Sequence, residues 1–395
     1  MAHTSAADPG IMQTMGTPVI PRHLLPADGR FGCGPSRIRA AQVQALAAVG
    51  TTVLGTSHRQ QPVRHLVQRS KEGLADLLGL PQGYQMVLGS GGSTAFWDAA
   101  IFSLLTDGAQ FAACGEFGAK FAAAASAAPF LTSPTLIRAE PGQQAIPQPA
   151  DGTTSYAWAH NETSTGVLTE VRRPDDSDAL VIIDGTSAAG GTRIELEQCD
   201  VYYFAPQKAL SSDGGLWFAA MSPAALARIE QLRTRWIPPT LSLHDAVASS
   251  AKNETINTPA IATLVLLAEQ VEWLLDQGGL SWAAARTAAS AEILYRWAGQ
   301  REWADPFVSD PAARSPVVGT IDLHEDIDAR AVIATLRSNG IVDVDPYRKL
   351  GRNQLRIGMF PSTPTADVEA LTQCIDYVIE DIASPGQQAS SPAPG

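Results

Sequence analysis

Short apolar runs alternate with longer stretches of helical period along most of the chain, the pattern of layered α/β proteins. Gln85–Leu88 reads as a strand that runs into the turn Gly89–Gly92, and Ser93–Leu105 follows as a helix. Ser155–Ala159 is a second strand, ending at His160-Asn161-Glu162-Thr163. Leu180–Ile183 is a third, stopping at Asp184, and Val201–Phe204 a fourth, followed by Ala205-Pro206-Gln207-Lys208. These strands are apolar without alternation, so both of their faces should be buried in a mostly parallel sheet between helices. A long helix is expected to open at Thr258-Pro259, with Thr258 as its cap, and to run to about Gln277.

Gly278-Gly279 then marks a boundary. Beyond it the pattern predicts helix Leu280–Ala298, a strand near Val317–Asp322, helix Ile327–Asn339, strand Gln354–Ile357 and helix Asp367–Ile382. The resulting organisation is a flexible arm over 1–20, a large domain over 21–277, a smaller α+β domain over 278–383 and a disordered tail over 384–395. The tail, SPGQQASSPAPG, is low in complexity, and no internal repeat is evident.

Composition narrows the function classes. The 395 residues are 45% hydrophobic and 17% charged, enough for a large core. A formal net charge of −12 argues against a nucleic-acid partner. The most apolar run, Ala260–Leu275, is interrupted by Thr263, Glu269, Gln270 and Glu272, and no run approaches the roughly 20 apolar residues of a membrane span. No basic residue precedes an apolar core near Met1, so no signal peptide is expected. Cys33, Cys114, Cys199 and Cys374 are widely spaced, which suggests neither a metal site nor a disulfide framework. The expectation is a cytoplasmic protein without membrane contact.

The residues suited to chemistry fall just after the strands, at the edge where open α/β sheets bind ligands. Asp184 at a buried strand end either caps the following turn or pairs with a cation. Lys208 follows one strand later in a loop with Ser211, Ser212 and Gly214-Gly215. Either residue alone could belong to a surface ion pair; together they suit imine chemistry, which needs a protected amine of lowered pKa. Gly89-Ser90-Gly91-Gly92-Ser93-Thr94, between strand and helix, could cradle an anion or be a plain capped turn. It has neither the Walker spacing nor that of dinucleotide-binding loops. The three parts together suit a phosphorylated pyridine aldehyde, with the loop on phosphate, Asp184 on the ring nitrogen and Lys208 on the aldehyde.

Six motifs occur in an order that resembles the class V aminotransferases of pyridoxal-phosphate fold type I, and among them the actinobacterial phosphoserine aminotransferases. They are Phe31-Gly32-Cys33-Gly34-Pro35-Ser36, Thr56-Ser57-His58-Arg59, Asn161-Glu162-Thr163, Asp184-Gly185-Thr186-Ser187, Ala205-Pro206-Gln207-Lys208 and Asn257-Thr258-Pro259. The resemblance covers about Phe31 to Ile382. It implies pyridoxal 5'-phosphate as cofactor, Lys208 as its imine-forming lysine, Asp184 as partner of the ring nitrogen and Thr163 near the ring's phenolic oxygen. Gly92, Ser93, Thr186 and Gln207 would hold the cofactor phosphate. Phe117 would stack on the ring, where many relatives carry Trp, and Ser93 replaces an arginine common in relatives.

The resemblance further implies a homodimer with shared sites, in which Asn257 and Thr258 reach the neighbouring subunit's cofactor phosphate. His58 and Arg59 would bind the phosphate of phosphoserine across the same interface. Arg356 would take the substrate carboxylate, and either Arg348 or Lys349, in an unusually basic segment, could assist with phosphate. The substrates would be glutamate and phosphoserine with their oxo acids. Alternatives are a phosphate-free class V reaction of the alanine– or serine–glyoxylate type, or a non-catalytic cofactor-binding protein on the same scaffold.

Overall fold

The computed structural model describes residues 18–174 and 178–383. Most of the expected arm (1–17) and the whole expected tail (384–395) lie outside the described residues. In chain order the first part contains α1 (Ala40–Ala48), α2 (Gln61–Leu78), β1 (Gln85–Ser90), α3 (Ser93–Ser103), β2 (Ala109–Ala113), α4 (Glu116–Ser126), β3 (Thr135–Arg138) and β4 (Ser155–Ala159). A two-residue hairpin follows, β5 (Asn161–Glu162) with β6 (Val167–Leu168). Then come β7 (Leu180–Asp184), β8 (Val201–Phe204), β9 (Leu216–Met221), α5 (Pro223–Gln231), α6 (Leu243–Ser250) and α7 (Ile261–Asp276). The C-terminal part holds α8 (Gly279–Ala298), β10 (Ala304–Pro306), β11 (Val318–Leu323), α9 (Ala329–Ser338), β12 (Gln354–Gly358) and α10 (Thr365–Ala383).

The central sheet has the order β1-β9-β8-β7-β4-β2-β3. Only β9 runs against its neighbours β1 and β8; the other pairings are parallel. As a result β1, β2, β4, β7 and β8 all end at one edge of the sheet. The register sets Ala159 beside Asp184 and Asp184 beside Tyr203, so three chain exits are collected in one row. Apolar side chains on both faces explain the unbroken hydrophobic strands: Tyr156, Val181, Ile183 and Tyr202 face one core, while Ala157, Ile182, Tyr203 and Val201 face another.

The C-terminal part is an antiparallel sheet, β10-β11-β12, packed with α8, α9 and α10. Residues 18–31, read from sequence as partly arm and partly large domain, join this core through the buried side chains of Ile20 and Phe31. Asn339 bonds the Ile20 amide at 2.9 Å and Asp367 that of Ala27 at 3.0 Å. Among the described residues no helix is long and apolar enough to cross a membrane. All four cysteines are free and buried.

Several boundaries shift by one or two residues from expectation, and two of the differences bear on the site. α7 begins at Ile261 with Ala260 at its cap, not at Thr258. Thr258 precedes Pro259, which disfavours helical backbone, and its hydroxyl is spent on the ring of His58. β1 extends through Gly89 and Ser90, because the antiparallel strand β9 pairs with it to its end. β2, β3 and β9, with α1, α2, α4, α5 and α6, were not read from the sequence.

Asp200 ties down the opposite edge of the sheet, ahead of β8. It is buried and accepts from Arg173 (2.7 Å), the Val181 amide (2.9 Å) and the Ser222 hydroxyl (2.7 Å), joining β7, β8 and β9. Replacing it strands these donors. Asp200→Ala is expected to lower unfolding stability by about 2–3 kcal/mol and leave the site chemistry unchanged. Urea unfolding followed by circular dichroism checks this, and a loss below about 1 kcal/mol would contradict it.

Candidate active site

Lys208 leaves β8 through Ala205-Pro206-Gln207 and turns back under the strand ends. It is 8% exposed. A Cβ on Gly34 would stand 2.8 Å from the Lys208 stem, so the turn of residues 31–36 closes directly on this side chain. The Lys208 amine donates to Thr163 Oγ1 at 2.7 Å. Burial pushes its pKa down, while the charges of Asp184 and Glu162 oppose that shift.

Asp184 ends β7 and is buried too. Burial pushes its carboxyl up; hydrogen bonds from Thr186 and the charge of Lys208 pull the other way. The Thr186 amide donates to Asp184 Oδ1 at 2.8 Å. Tyr203, bonded at its hydroxyl by Trp97 Nε1 at 2.7 Å, also helps to hold that carboxyl down. Asp184 Oδ1 is thus held by the turn that follows β7.

The N-terminus of α3 completes one end of the site. Gly92 is its cap without a side-chain bond, and Ser93 is its first residue. Ser93 Oγ lies 2.6 Å from Thr186 Oγ1, so two hydroxyls and the open first-turn amides converge. Such a terminus favours an anion through its amides and its dipole. Gln207 Oε1, close by in sequence to Lys208, is buried without a partner.

Phe117, in the first turn of α4, presents its ring 4.9 Å from Lys208 Nζ. An anion seat, a carboxylate, an amine and a flat ring thus stand in the arrangement that pyridoxal 5'-phosphate requires, and the residues present fit that group.

On the far side, Arg356 rises from β12. Its Nη1 donates to the Thr163 carbonyl at 3.2 Å, and its Nε is buried without a partner. Tyr347 lies against it at 5.4 Å and against Phe117 at 6.0 Å between ring centres. Cys33 is buried within reach of the charges of both Arg356 and Lys208, and burial pushes its thiol up. Tyr347 and Cys33 are site residues the sequence reading gave no role. For Tyr347 the signal was its place at the head of the basic segment. Lys349 is engaged by Glu116, whereas Arg348 is exposed with no ion-pair partner among the described residues.

The remaining expected residues form a second group on the surface. Arg59 pairs with Glu254 at 2.6 Å and reaches the Ile256 carbonyl at 3.3 Å. His58 Nδ1 meets Thr258 Oγ1 at 3.0 Å, while its Nε2 is buried and unpaired. The Asn257 carbonyl accepts from Thr255 at 2.5 Å, and the Asn257 side chain lies at the surface. Within one chain His58, Arg59, Asn257 and Thr258 gather with one another, and no hydrogen bond among the described residues joins them to Lys208.

Comparison with known proteins agrees with this geometry. The aminotransferase class-V family matches residues 35–344. A protein of Mycobacterium avium (strain 104) is 56% identical over 364 residues, 91% of this chain and 97% of its own. A phosphoserine aminotransferase of Nocardioides sp. (strain JS614) is 55% identical over 368 residues, 92% of this chain and 98% of its own. Among solved structures, a phosphoserine aminotransferase from Cytophaga hutchinsonii superposes with a TM-score of 0.81 at 19% identity, covering 89% of this chain and 99% of that one. At that identity the match speaks for the fold, which is that of type I pyridoxal-phosphate enzymes. The chain belongs to the class V aminotransferases, with pyridoxal 5'-phosphate as its cofactor.

Proposed function

We propose that the chain moves an amino group reversibly between L-glutamate and 3-phosphohydroxypyruvate, giving O-phospho-L-serine and 2-oxoglutarate, a step of L-serine synthesis. The observation that carries the reading is that Lys208 and Asp184, at the edge of the central sheet, are faced from β12 by Arg356, whose Nε is unpaired and whose Nη1 reaches the carbonyl of the same Thr163 that accepts from Lys208. The substrate class is supported by relatives more than half identical over nearly their whole length, one of them named for phosphoserine. The free, buried cysteines suit a reducing, cytoplasmic setting.

When bound, pyridoxal phosphate supplies an aldehyde that captures amines and a ring that withdraws electrons from the substrate's α-carbon. The chain's residues supply the rest. Gly92, Ser93, Thr186 and Gln207 would hold the phosphate, Phe117 would lie on the ring, and Asp184 would keep the ring nitrogen protonated. Thr163 stands beside the Lys208 amine, which burial favours in its neutral form, and that amine would remove and return the substrate's α-proton. Arg356 offers its open Nε edge to the α-carboxylate common to glutamate and phosphoserine, so both use one seat in alternate half-reactions. The exposed guanidinium of Arg348 is the better placed of the two basic candidates for a phosphate, since Lys349 is already paired with Glu116.

His58, Arg59, Asn257 and Thr258 fit this scheme as the contribution to a second copy's site. They form one surface cluster, and His58 Nε2 is left unpaired there. In the dimer, Arg59 and His58 would bind the substrate phosphate, and Asn257 and Thr258 the cofactor phosphate. Pairing with Glu254 keeps Arg59 in place until an incoming phosphate competes for it.

Lys208→Ala is expected to abolish turnover with fold and oligomeric state retained; measurable turnover without added amine would contradict the role. Arg59→Ala is expected to raise KM for O-phospho-L-serine about tenfold or more while changing that for L-glutamate by less than about twofold. Equal losses for the two substrates, read from steady-state kinetics in both directions, would contradict a phosphate seat.

A further inference from the structure

Glu162 belongs to a motif that drew attention in the sequence, yet the mechanism above leaves it without a task. It is 1% exposed, and both of its oxygens are occupied by donors. Oε1 accepts from the Ser164 amide at 3.1 Å and the Ser164 hydroxyl at 2.6 Å. Oε2 accepts from the amides of Phe117 at 3.1 Å and Gly118 at 3.2 Å. Those two amides are in the first turn of α4, where the helix has no internal acceptor to offer them. A third amide of that turn, Glu116, is taken by Ser164 Oγ at 3.0 Å. The approach is close enough to exclude a side chain at the cap: a Cβ on Gly115 would stand 2.4 Å from Glu162 Cγ.

The first turn of α4 is thus fastened to residues 162–164. The central residue of that tripeptide, Thr163, accepts from Lys208 through its hydroxyl and from Arg356 through its carbonyl. Phe117, Lys208 and Arg356 are therefore aligned on one three-residue segment, and Glu162 is the member that attaches the ring.

We propose that Glu162 is a positioning residue for amino transfer: its carboxylate fastens the first turn of α4 to the 162–164 segment and so sets the Phe117 ring against the cofactor seat at Lys208. A second consequence follows from its charge. Burial pushes the Glu162 carboxyl up, the hydrogen bonds from Ser164 and Gly118 oppose that, and its charge, acting from a distance, favours the protonated form of the Lys208 amine. Glu162 does not touch substrate. The inference rests on the transaminase reading of the site.

Glu162→Gln keeps the shape, removes the charge and puts an amide donor where two helix amides need an acceptor. Glu162→Asp keeps the charge and shortens the reach. Both are prepared as holoenzymes and compared by visible absorbance across pH, visible circular dichroism of the bound cofactor, and steady-state kinetics. The Gln variant is expected to titrate at lower pH than the wild type and to lose intensity in visible dichroism. Its kcat should fall about tenfold with KM for glutamate within about twofold, since Arg356 is untouched. The Asp variant is expected to keep the titration midpoint and lose dichroism.

Ser164→Ala, which frees the Glu116 amide and removes one hydrogen bond from Glu162 Oε1 but keeps the Glu162 side chain, should weaken the dichroism, and it carries the test if Glu162→Gln does not fold. Folded variants with wild-type titration, dichroism and kcat, altered only in thermal stability, would overturn the proposal. A wild-type holoenzyme with no transaminase activity would instead overturn the functional reading on which it rests.

Discussion

An amine buried at Lys208 is the constraint around which the rest is arranged. Taking an ammonium out of water is costly, and the amine tends to lose its proton unless nearby anions compensate. Here the compensation is partial: Asp184 and Glu162 act on it from a distance, and Thr163 gives it one close hydrogen bond. The balance suits a group that must be neutral to act as a base yet sit among anions that will hold a positively charged cofactor ring. Asp184 and Glu162 in turn need donors, which explains the density of amide and hydroxyl bonds from Thr186, Ser164, Phe117 and Gly118.

The sheet makes this density attainable. Parallel strands deliver successive chain exits to one edge without extra loops, and the register of β4, β7 and β8 sets Ala159, Asp184 and Tyr203 side by side. β1 arrives at the same edge through its antiparallel pairing with β9 and brings the start of α3, an anion seat. The C-terminal layer contributes one guanidinium, Arg356, on a strand rather than a loop, which fixes its direction. The surface group around His58 and Thr258 stands apart from this row, as a contribution to another copy would.

Much of the site was legible before any coordinates because chemistry and topology agree on where it must be. Asp184 closes one uninterrupted apolar strand and Lys208 follows the end of the next, and polar residues in such places stand out. α2 was missed although its buried positions Val63, Leu66, Val67, Leu74, Leu77 and Leu78 follow helical spacing, so a moving-window reading would have found it. β2 and α4 are alanine-rich, Ala-Gln-Phe-Ala-Ala and Glu-Phe-Gly-Ala-Lys-Phe-Ala-Ala-Ala-Ala-Ser, and alanine marks neither period strongly. Glu162 and Tyr347 were invisible as site residues because their roles depend on partners 45 residues away in Phe117 and on ring contacts with Phe117 and Arg356. Thr258 was misread as a helix cap because the motif of Thr before Pro fits both a cap and a surface loop.

The absorption spectrum of the purified holoenzyme, recorded before and after addition of O-phospho-L-serine with L-serine as control, tests the central claim most directly. The account predicts a visible cofactor band that changes with O-phospho-L-serine and not with L-serine at the same concentration. An equal response to L-serine, or a protein that takes up no pyridoxal phosphate, would contradict it.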